Sequence, residues 1–185
     1  VFFTSLILLC ILVGGNSSLK SQDTYLTKTG GITFFSETPL ENIEAINKQV
    51  TSLLNTKTGE LVFSVLIRSF EFKKALMQEH FNENYMESDK FPKAKFTGKV
   101  KDFEAFSWNE NGEYSARISG FLEIHGVKKE ISVLGNFLNT KEGIKANAEF
   151  VVQPKDFDIQ IPKIVEENIA KKIQIKVLMN YKPYK

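Results

Sequence analysis

Residues 114–124 alternate between apolar and polar side chains with one exception, Phe121. Because successive side chains of a β-strand point to opposite faces, this period of two predicts a strand with one apolar and one solvated face. After an interruption at His125 and Gly126, a second alternating run follows over 131–137. Long antiparallel strands that share an apolar face must stack as two sheets or close into a barrel. A barrel with an apolar interior can hold a hydrophobic ligand.

Composition limits the chain to one domain and to few kinds of chemistry. The 185 residues suffice for one domain of ordinary size, and 16 Phe supply an unusual amount of apolar side-chain volume. The 24 basic and 22 acidic residues are interspersed and nearly balanced, which argues against a nucleic-acid-binding protein. Cys10 is the single cysteine and lies in the apolar leader described next, so we expect no disulfide, thiolate metal site or cysteine nucleophile in the mature chain.

The start of the chain resembles a secretory signal peptide. Residues 2–13 are almost all apolar but too few to cross a bilayer, and the small residues at 14–18 suit cleavage by signal peptidase. We therefore predict a signal peptide over 1–21, one folded domain over 22–185, and a periplasmic or secreted location. Retention of the leader as a membrane anchor is the alternative.

Turn residues divide the remaining chain into short segments. Helical spacing of apolar residues predicts a helix over 72–86, and Pro162 opens a second short helix over 162–171. The stretch 41–54 fits either a helix or a strand. Several strands at short spacing favour a sandwich or a barrel, and we predict them over 25–28, 31–36, 60–67, 94–106, 114–124, 129–138, 145–152 and 172–181.

The chain carries no recognisable catalytic motif. It lacks G-x-S-x-G, H-E-x-x-H and a glycine-rich phosphate loop, so we predict that it is not an enzyme and uses no cofactor or metal. His80 has Glu79 and Glu83 nearby, but exposed helices commonly carry such acids. His125 begins a turn between two strands, and a structural role is favoured for both histidines. An enzyme or metal protein that uses them is a rival hypothesis.

One face of the predicted strands carries a large set of apolar side chains. In a closed barrel this face is the interior, which either is filled by side chains or holds one ligand. The alternation fits a solid interior filled by side chains and a hollow interior equally well. The predicted ligand-binding residues are Phe63, Val65, Ile118, Leu122, Ile131, Val133, Phe150, Ile175 and Val177 on the strands, with Met77 and Phe81 on a helix expected to act as a lid.

Three stretches resemble the motifs of one known family. Residues 77–81 precede a Phe-Pro-x-Ala-x-Phe pattern at 91–96, and residues 120–129 resemble a Gly-x-Leu-x-(Ile/Leu)-x-Gly-Val-x-Lys hairpin. Residues 155–159 resemble a Lys-x-Phe-x-Ile motif. In this order, behind an export signal, they are similar to the YceI-like family, the periplasmic polyisoprenoid-binding proteins of bacteria. The resemblance covers about 31–177.

This resemblance implies an all-β, antiparallel, lipocalin-like barrel of about eight strands with one or two short helices, and it favours a strand over 41–54. It also implies a long isoprenoid or similar amphiphile along the barrel interior. We therefore expect an exported protein that sequesters or carries an isoprenoid or fatty lipid, with transient membrane contact. A homodimer is left open. The alternative function is a non-catalytic envelope-stress or interaction module with a solid core.

Overall fold

The computed structural model describes residues 23–108 and 110–184. Helix α1 (Ala75–His80) continues into a π-helical turn (Phe81–Tyr85), and short 3₁₀ segments span Ile67–Ser69, Phe103–Ala105, Pro154–Phe157 and Lys163–Asn168. Within the described residues the strands are β1 (Thr24–Glu37), β2 (Asn42–Asn55), β3 (Glu60–Leu66), β4 (Phe70–Phe72), β5 (Lys93–Val100), β6 (Gly112–Ile124), β7 (Val127–Thr140), β8 (Gly143–Val152) and β9 (Ile173–Pro183).

Eight of these strands form a closed antiparallel barrel. Their order around the barrel is β1-β2-β3-β5-β6-β7-β8-β9, and β9 pairs back with β1. The short strand β4 adds a ninth pairing, against the beginning of β2. Closure hydrogen-bonds each long strand on both sides and leaves no long edge exposed. The predicted all-β barrel of about eight strands is confirmed.

The period-two alternation corresponds to the inner and outer faces of the barrel. In β6, Ala116 and Ile118 are buried, whereas Arg117 between them is exposed. Phe121, the exception in the pattern, lies on the outer face with 48% of its surface exposed, and Lys128 Nζ lies 4.7 Å from its ring centroid. An outward-facing Phe therefore breaks the alternation of polar and apolar side chains, while the alternation of inner and outer faces continues.

Two predicted strands have different limits in the structure. The segments predicted at 25–28 and 31–36 form one strand, β1, with register shifts on both sides of Gly30. A Cβ atom at Gly30 would collide with the Met179 side chain, so glycine lets β1 lie close to the core there. The strand predicted over 94–106 ends at Val100, because Asp102 takes a left-handed conformation (φ 53°) and Phe103 then turns into the core.

The remaining segments follow the sequence with small changes. The ambiguous stretch 41–54 is a strand, β2, as the resemblance implied. The helix predicted from 72 begins at Ala75, because Phe72 pairs with Ala45 of β2. After Pro162 the predicted short helix is a 3₁₀ segment. His125 and Gly126 both have positive φ, 51° and 75°, which suits a two-residue hairpin turn.

Candidate functional site

One end of the barrel interior is filled by side chains. Tyr181, Phe137, Leu54, Ile144 and Met179 are each at most 2% exposed and pack together as the core of this end. The indole of Trp108 also packs against the Phe137 ring, with centroids 5.9 Å apart. This end of the barrel is therefore solid.

A buried hydroxyl pair lies within the solid end. Tyr181 Oη lies 2.7 Å from Ser52 Oγ, and Ser52 donates its own hydrogen to the carbonyl oxygen of Val62 at 2.8 Å. Tyr181 must therefore be the donor to Ser52. Burial raises the pKa of Tyr181 far above its ordinary value of 10.0, because the phenolate would be charged in an apolar surrounding.

The opposite end of the barrel is hollow. A cavity of about 490 Å³ lies between the ends of the strands, helix α1 and the segment that joins β8 to β9. Its volume is within the range of roughly 300–1,000 Å³ that small-molecule sites usually have. The lining is almost entirely apolar, with polar side chains confined to Ser36, Glu41, Lys74, His80, Tyr85 and Asn168.

A smaller cavity extends this space towards the solid end. It measures about 90 Å³ and is lined by apolar side chains and by Lys95. The two cavities adjoin, because they share the lining residues Ile32, Val65, Ala94, Leu122 and Phe150. Together they form one apolar tract from the mouth of the barrel to its middle, which we call the apolar tract below.

Each of the eleven residues predicted to bind a ligand lines the apolar tract. The strand alternation therefore located the interior, while the role of these residues in binding remains a prediction. The larger cavity is lined by Val65, Met77, Phe81, Leu122, Phe150 and Ile175, and the smaller one by Phe63, Ile118, Ile131, Val133 and Val177.

Phe81 completes a cluster of aromatic rings at the mouth of the cavity. Its ring centroid lies 5.4 Å from that of Phe34, 5.7 Å from Phe70 and 5.0 Å from Phe72. These three partners were not predicted from the sequence. A signal was present, because Phe70 and Phe72 alternate with Glu71 as the residues of a short strand do.

The segment between β8 and β9 also lines the cavity and was not predicted to do so. Phe157, Ile159, Ile161 and Val165 all contribute to its wall. The first three stand at every second position, which was the available signal. Two non-strand regions therefore line the cavity, this segment and the lid, which consists of α1 and the π-helical turn (Ala75–Tyr85).

Two ion pairs and one hydrogen bond link the lid and the two residues before it to the barrel. Lys74 Nζ lies 2.9 Å from Glu41 Oε1, and Lys73 Nζ lies 3.4 Å from Glu44 Oε2. Gln78 Oε1 accepts a hydrogen bond from the backbone N–H of Phe72 at 3.2 Å. The lid is thus linked to β4 through Gln78, and the two lysines just before it are linked to Glu44 of β2 and to Glu41, which precedes β2.

His125 connects three elements at the same end of the barrel. Its Nε2 lies 2.8 Å from Glu87 Oε2, just after the lid, and its Nδ1 lies 3.2 Å from the carbonyl oxygen of Phe157. The side chain is 10% exposed and packs on the Phe91 ring. This geometry assigns His125 a structural role, as the sequence favoured.

His80 lines the larger cavity from α1, without Glu79 or Glu83 joining it in a metal site. Across residues 23–108 and 110–184, His, Cys, Asp and Glu side chains form no cluster of three suited to a metal ion. In the same residues, none of the helices has the length and apolar character needed to cross a membrane.

Comparisons with known proteins agree with this architecture. The model of the YceI-like domain matches residues 26–181. A polyisoprenoid-binding domain from Saccharophagus degradans, implicated in plant cell wall breakdown, has a similar structure, with a TM-score of 0.77, 14% identity, and 88% of this chain and 99% of that chain covered. No curated protein sequence matches this chain.

Two further solved structures share the fold. BcnA from Burkholderia cenocepacia aligns with a TM-score of 0.63 and 13% identity, over 80% of this chain and 94% of that chain. A YceI protein from Campylobacter jejuni aligns with a TM-score of 0.54 and 17% identity, over 72% and 82%. The closed barrel, the apolar tract and the match over residues 26–181 lead to one conclusion: the chain belongs to the YceI-like family.

Proposed function

We propose that this protein binds a long-chain isoprenoid or similar lipid in the apolar tract and carries or sequesters it without chemical change. The observation that supports this function is the combination of two adjoining cavities, about 490 and 90 Å³, with an almost wholly apolar lining. A polar, water-soluble ligand would lose its hydrogen bonds to water there. Burial of a hydrocarbon chain, in contrast, contributes about 25 cal/mol of favourable free energy for each Å² of apolar surface removed from water.

The shape of the tract favours an extended ligand with one end near solvent. The lining begins at the lid, near Met77 and Phe81, and continues inward through Leu122 to Val133 and Val177. The solid end below stops any further penetration. A lipid therefore enters tail first, and its head stays near the mouth.

The similar domain from Saccharophagus degradans is described as polyisoprenoid-binding, which supports the same ligand class here. The apolar tract also disfavours the alternative of a solid interaction module, because such a barrel needs no interior space. The YceI-like family is a binding family, and in the described parts of the chain nothing indicates catalysis.

The mouth of the barrel is suited to contact with a membrane surface. Three large aliphatic side chains near it are exposed: Leu40 by 63%, Leu76 by 61% and Ile164 by 92%. They belong to three separate segments, and the residues beside them (Glu41, Met77 and Val165) line the cavity. Insertion of these side chains between lipid headgroups would bring the mouth to the lipid that it takes up.

Export of the protein to the periplasm or the outside of the cell remains part of this proposal. It is based on the signal peptide expected over 1–21, which lies outside the described residues. The domain boundary at residue 22 is likewise a prediction, although β1 begins close to it, at Thr24.

A displacement titration tests the proposed function. The purified protein is loaded with a hydrophobic fluorescent dye, and a long-chain polyprenol is then added. We expect stoichiometric displacement of the dye. Absence of displacement, together with unchanged protein fluorescence on addition of the polyprenol, would contradict lipid binding in the apolar tract.

A further inference from the structure

Ser36 places a buried hydroxyl group in the wall of the larger cavity. It is the last inward-facing residue of β1, it is 2% exposed, and it follows Ile32 and Phe34 along the same face. Its Oγ accepts a hydrogen bond from the backbone N–H of Ala170 at 2.8 Å. Among the described residues its hydroxyl hydrogen has no acceptor, so a donor is left for a group inside the cavity.

A second uncharged polar side chain lines the same cavity, close in sequence to the hydrogen-bond partner of Ser36. Asn168 also lines the larger cavity and precedes by two residues the Ala170 N–H that binds Ser36. Its carboxamide makes no hydrogen bond to another described residue. We call Ser36 and Asn168 together the polar spot, and both of its residues are uncharged. An unsatisfied polar group in such a place costs free energy unless the ligand pairs with it.

The charged and titratable lining groups belong to other segments than the polar spot. Lys74 is already paired with Glu41 at 2.9 Å. His80 belongs to α1 and Tyr85 to the π-helical turn. The polar spot consists of a hydroxyl and an amide and holds no cation to pair with a buried charge, so it suits an uncharged oxygen that accepts hydrogen bonds better than a phosphate or carboxylate.

We propose that the lipid carries an uncharged carbonyl oxygen near its head, and that Ser36 donates a hydrogen bond to it. This inference rests on the proposed lipid-binding function and narrows its ligand class. The carbonyl would replace the hydrogen bond that it loses from water, while the tail fills the tract beyond Phe34. A pure hydrocarbon would leave the Ser36 hydrogen unsatisfied.

Two matched ligands and four protein forms test this inference. The ligands are a long-chain isoprenoid ketone and the hydrocarbon in which a methylene group replaces its carbonyl. The proteins are the original chain, Ser36→Ala, Ser36→Thr, which keeps the hydroxyl group, and Ser132→Ala, which removes a hydroxyl from the exposed outer face. The dissociation constant Kd is measured for each of the eight combinations.

We expect Ser36→Ala to raise the Kd of the ketone by about three- to tenfold relative to that of the hydrocarbon, the range given by one hydrogen bond. Ser36→Thr and Ser132→Ala should leave this ratio unchanged. Any loss of the Ala170 contact affects both ligands, so it cancels in the ratio. If Ser36→Ala left the ratio of the two dissociation constants unchanged, the inference about the carbonyl would be overturned, although lipid binding itself would still stand. Failure of both ligands to bind the original chain would instead contradict the proposed function.

Discussion

The ring of Phe81 lies on the ring of Phe34, with centroids 5.4 Å apart and planes inclined by 30°. Phe34 belongs to the barrel wall and Phe81 to the π-helical turn after α1, so this contact joins the lid to the wall at the mouth of the cavity. A ligand that enters or leaves by this route must separate the two rings. The exchange rate of the ligand is therefore expected to depend on Phe81.

Replacement of Phe81 by Ala should speed ligand release. The substitution removes ring contacts with Phe34, Phe70 and Phe72, each worth about 0.5–1.5 kcal/mol, so we expect the dissociation rate to rise about tenfold or more. Stopped-flow fluorescence of a bound dye measures this rate. Phe121→Ala, on the outer face, is the matched control and should leave it unchanged. Equal rates in all three proteins would exclude the lid as the exit.

Replacement of Leu122 by Trp should abolish lipid uptake without unfolding the protein. Leu122 lines both cavities, and a larger side chain there fills their junction. The double variant with Val133→Trp should block the inner cavity as well. Dye binding measures uptake, and circular dichroism confirms the barrel. Leu134→Trp is the control, because Leu134 is 58% exposed on the outside. Full uptake by the folded double variant would show that the ligand lies elsewhere.

Replacement of Tyr181 by Phe should destabilise the solid end without affecting ligand binding. The substitution removes the hydrogen bond to Ser52, and the free energy of unfolding should fall by about 0.5–1.5 kcal/mol. Ser52 keeps its own hydrogen bond to the Val62 carbonyl. Urea denaturation measures the change. If Tyr181→Phe also changed the Kd for lipid, the result would contradict the separation of the barrel into a solid and a hollow end.

The same tyrosine should make the folded barrel less stable at alkaline pH. Burial raises the pKa of Tyr181, so the folded state keeps a proton that the unfolded chain loses at about pH 10. Its contribution to the free energy of unfolding is complete below that pH and is lost progressively above it. Tyr181→Phe should flatten this alkaline decline, whereas Tyr184→Phe, 54% exposed, should not. An unchanged pH profile for Tyr181→Phe would contradict the buried location of the hydroxyl.

Replacement of His125 by Asn should loosen the end of the lid and preserve the hairpin. Asn tolerates the left-handed backbone at this position, but its shorter side chain cannot replace both the Glu87 and Phe157 contacts. We expect faster amide hydrogen exchange over 81–88 and unchanged exchange in β6 and β7. His80→Asn serves as the control for loss of a histidine. Slower exchange in the lid of the His125 variant would refute this connection.

The sequence allowed the barrel interior to be predicted, because a period of two depends only on backbone geometry. Ile118 and Leu122 in β6, and Ile175 and Val177 in β9, lie on the inner face as their alternation indicated. Phe121 shows the limit of the pattern, since polarity alone would have assigned it inward.

The hollow end could not be predicted in the same way. The position of the cavity depends on which side chains of the eight strands lie at the same height in the barrel. That arrangement is set by the register between strands and cannot be read from any single segment. Large side chains such as Phe137 and Tyr181 meet in the solid end, whereas Ala94 and Ala148 lie beside the cavities. The mouth was missed for a related reason, because Phe70 and Phe157 belong to short elements whose positions are set by tertiary contacts.

Native mass spectrometry of the protein purified without detergent tests the central claim most directly. We predict a stoichiometric adduct that is released by organic solvent and identified as a long-chain isoprenoid-type lipid, and that is absent from the folded Leu122→Trp, Val133→Trp variant. A protein of unmodified mass that stays ligand-free after incubation with long-chain isoprenoids and fatty acids would contradict the account and would favour an interaction module instead.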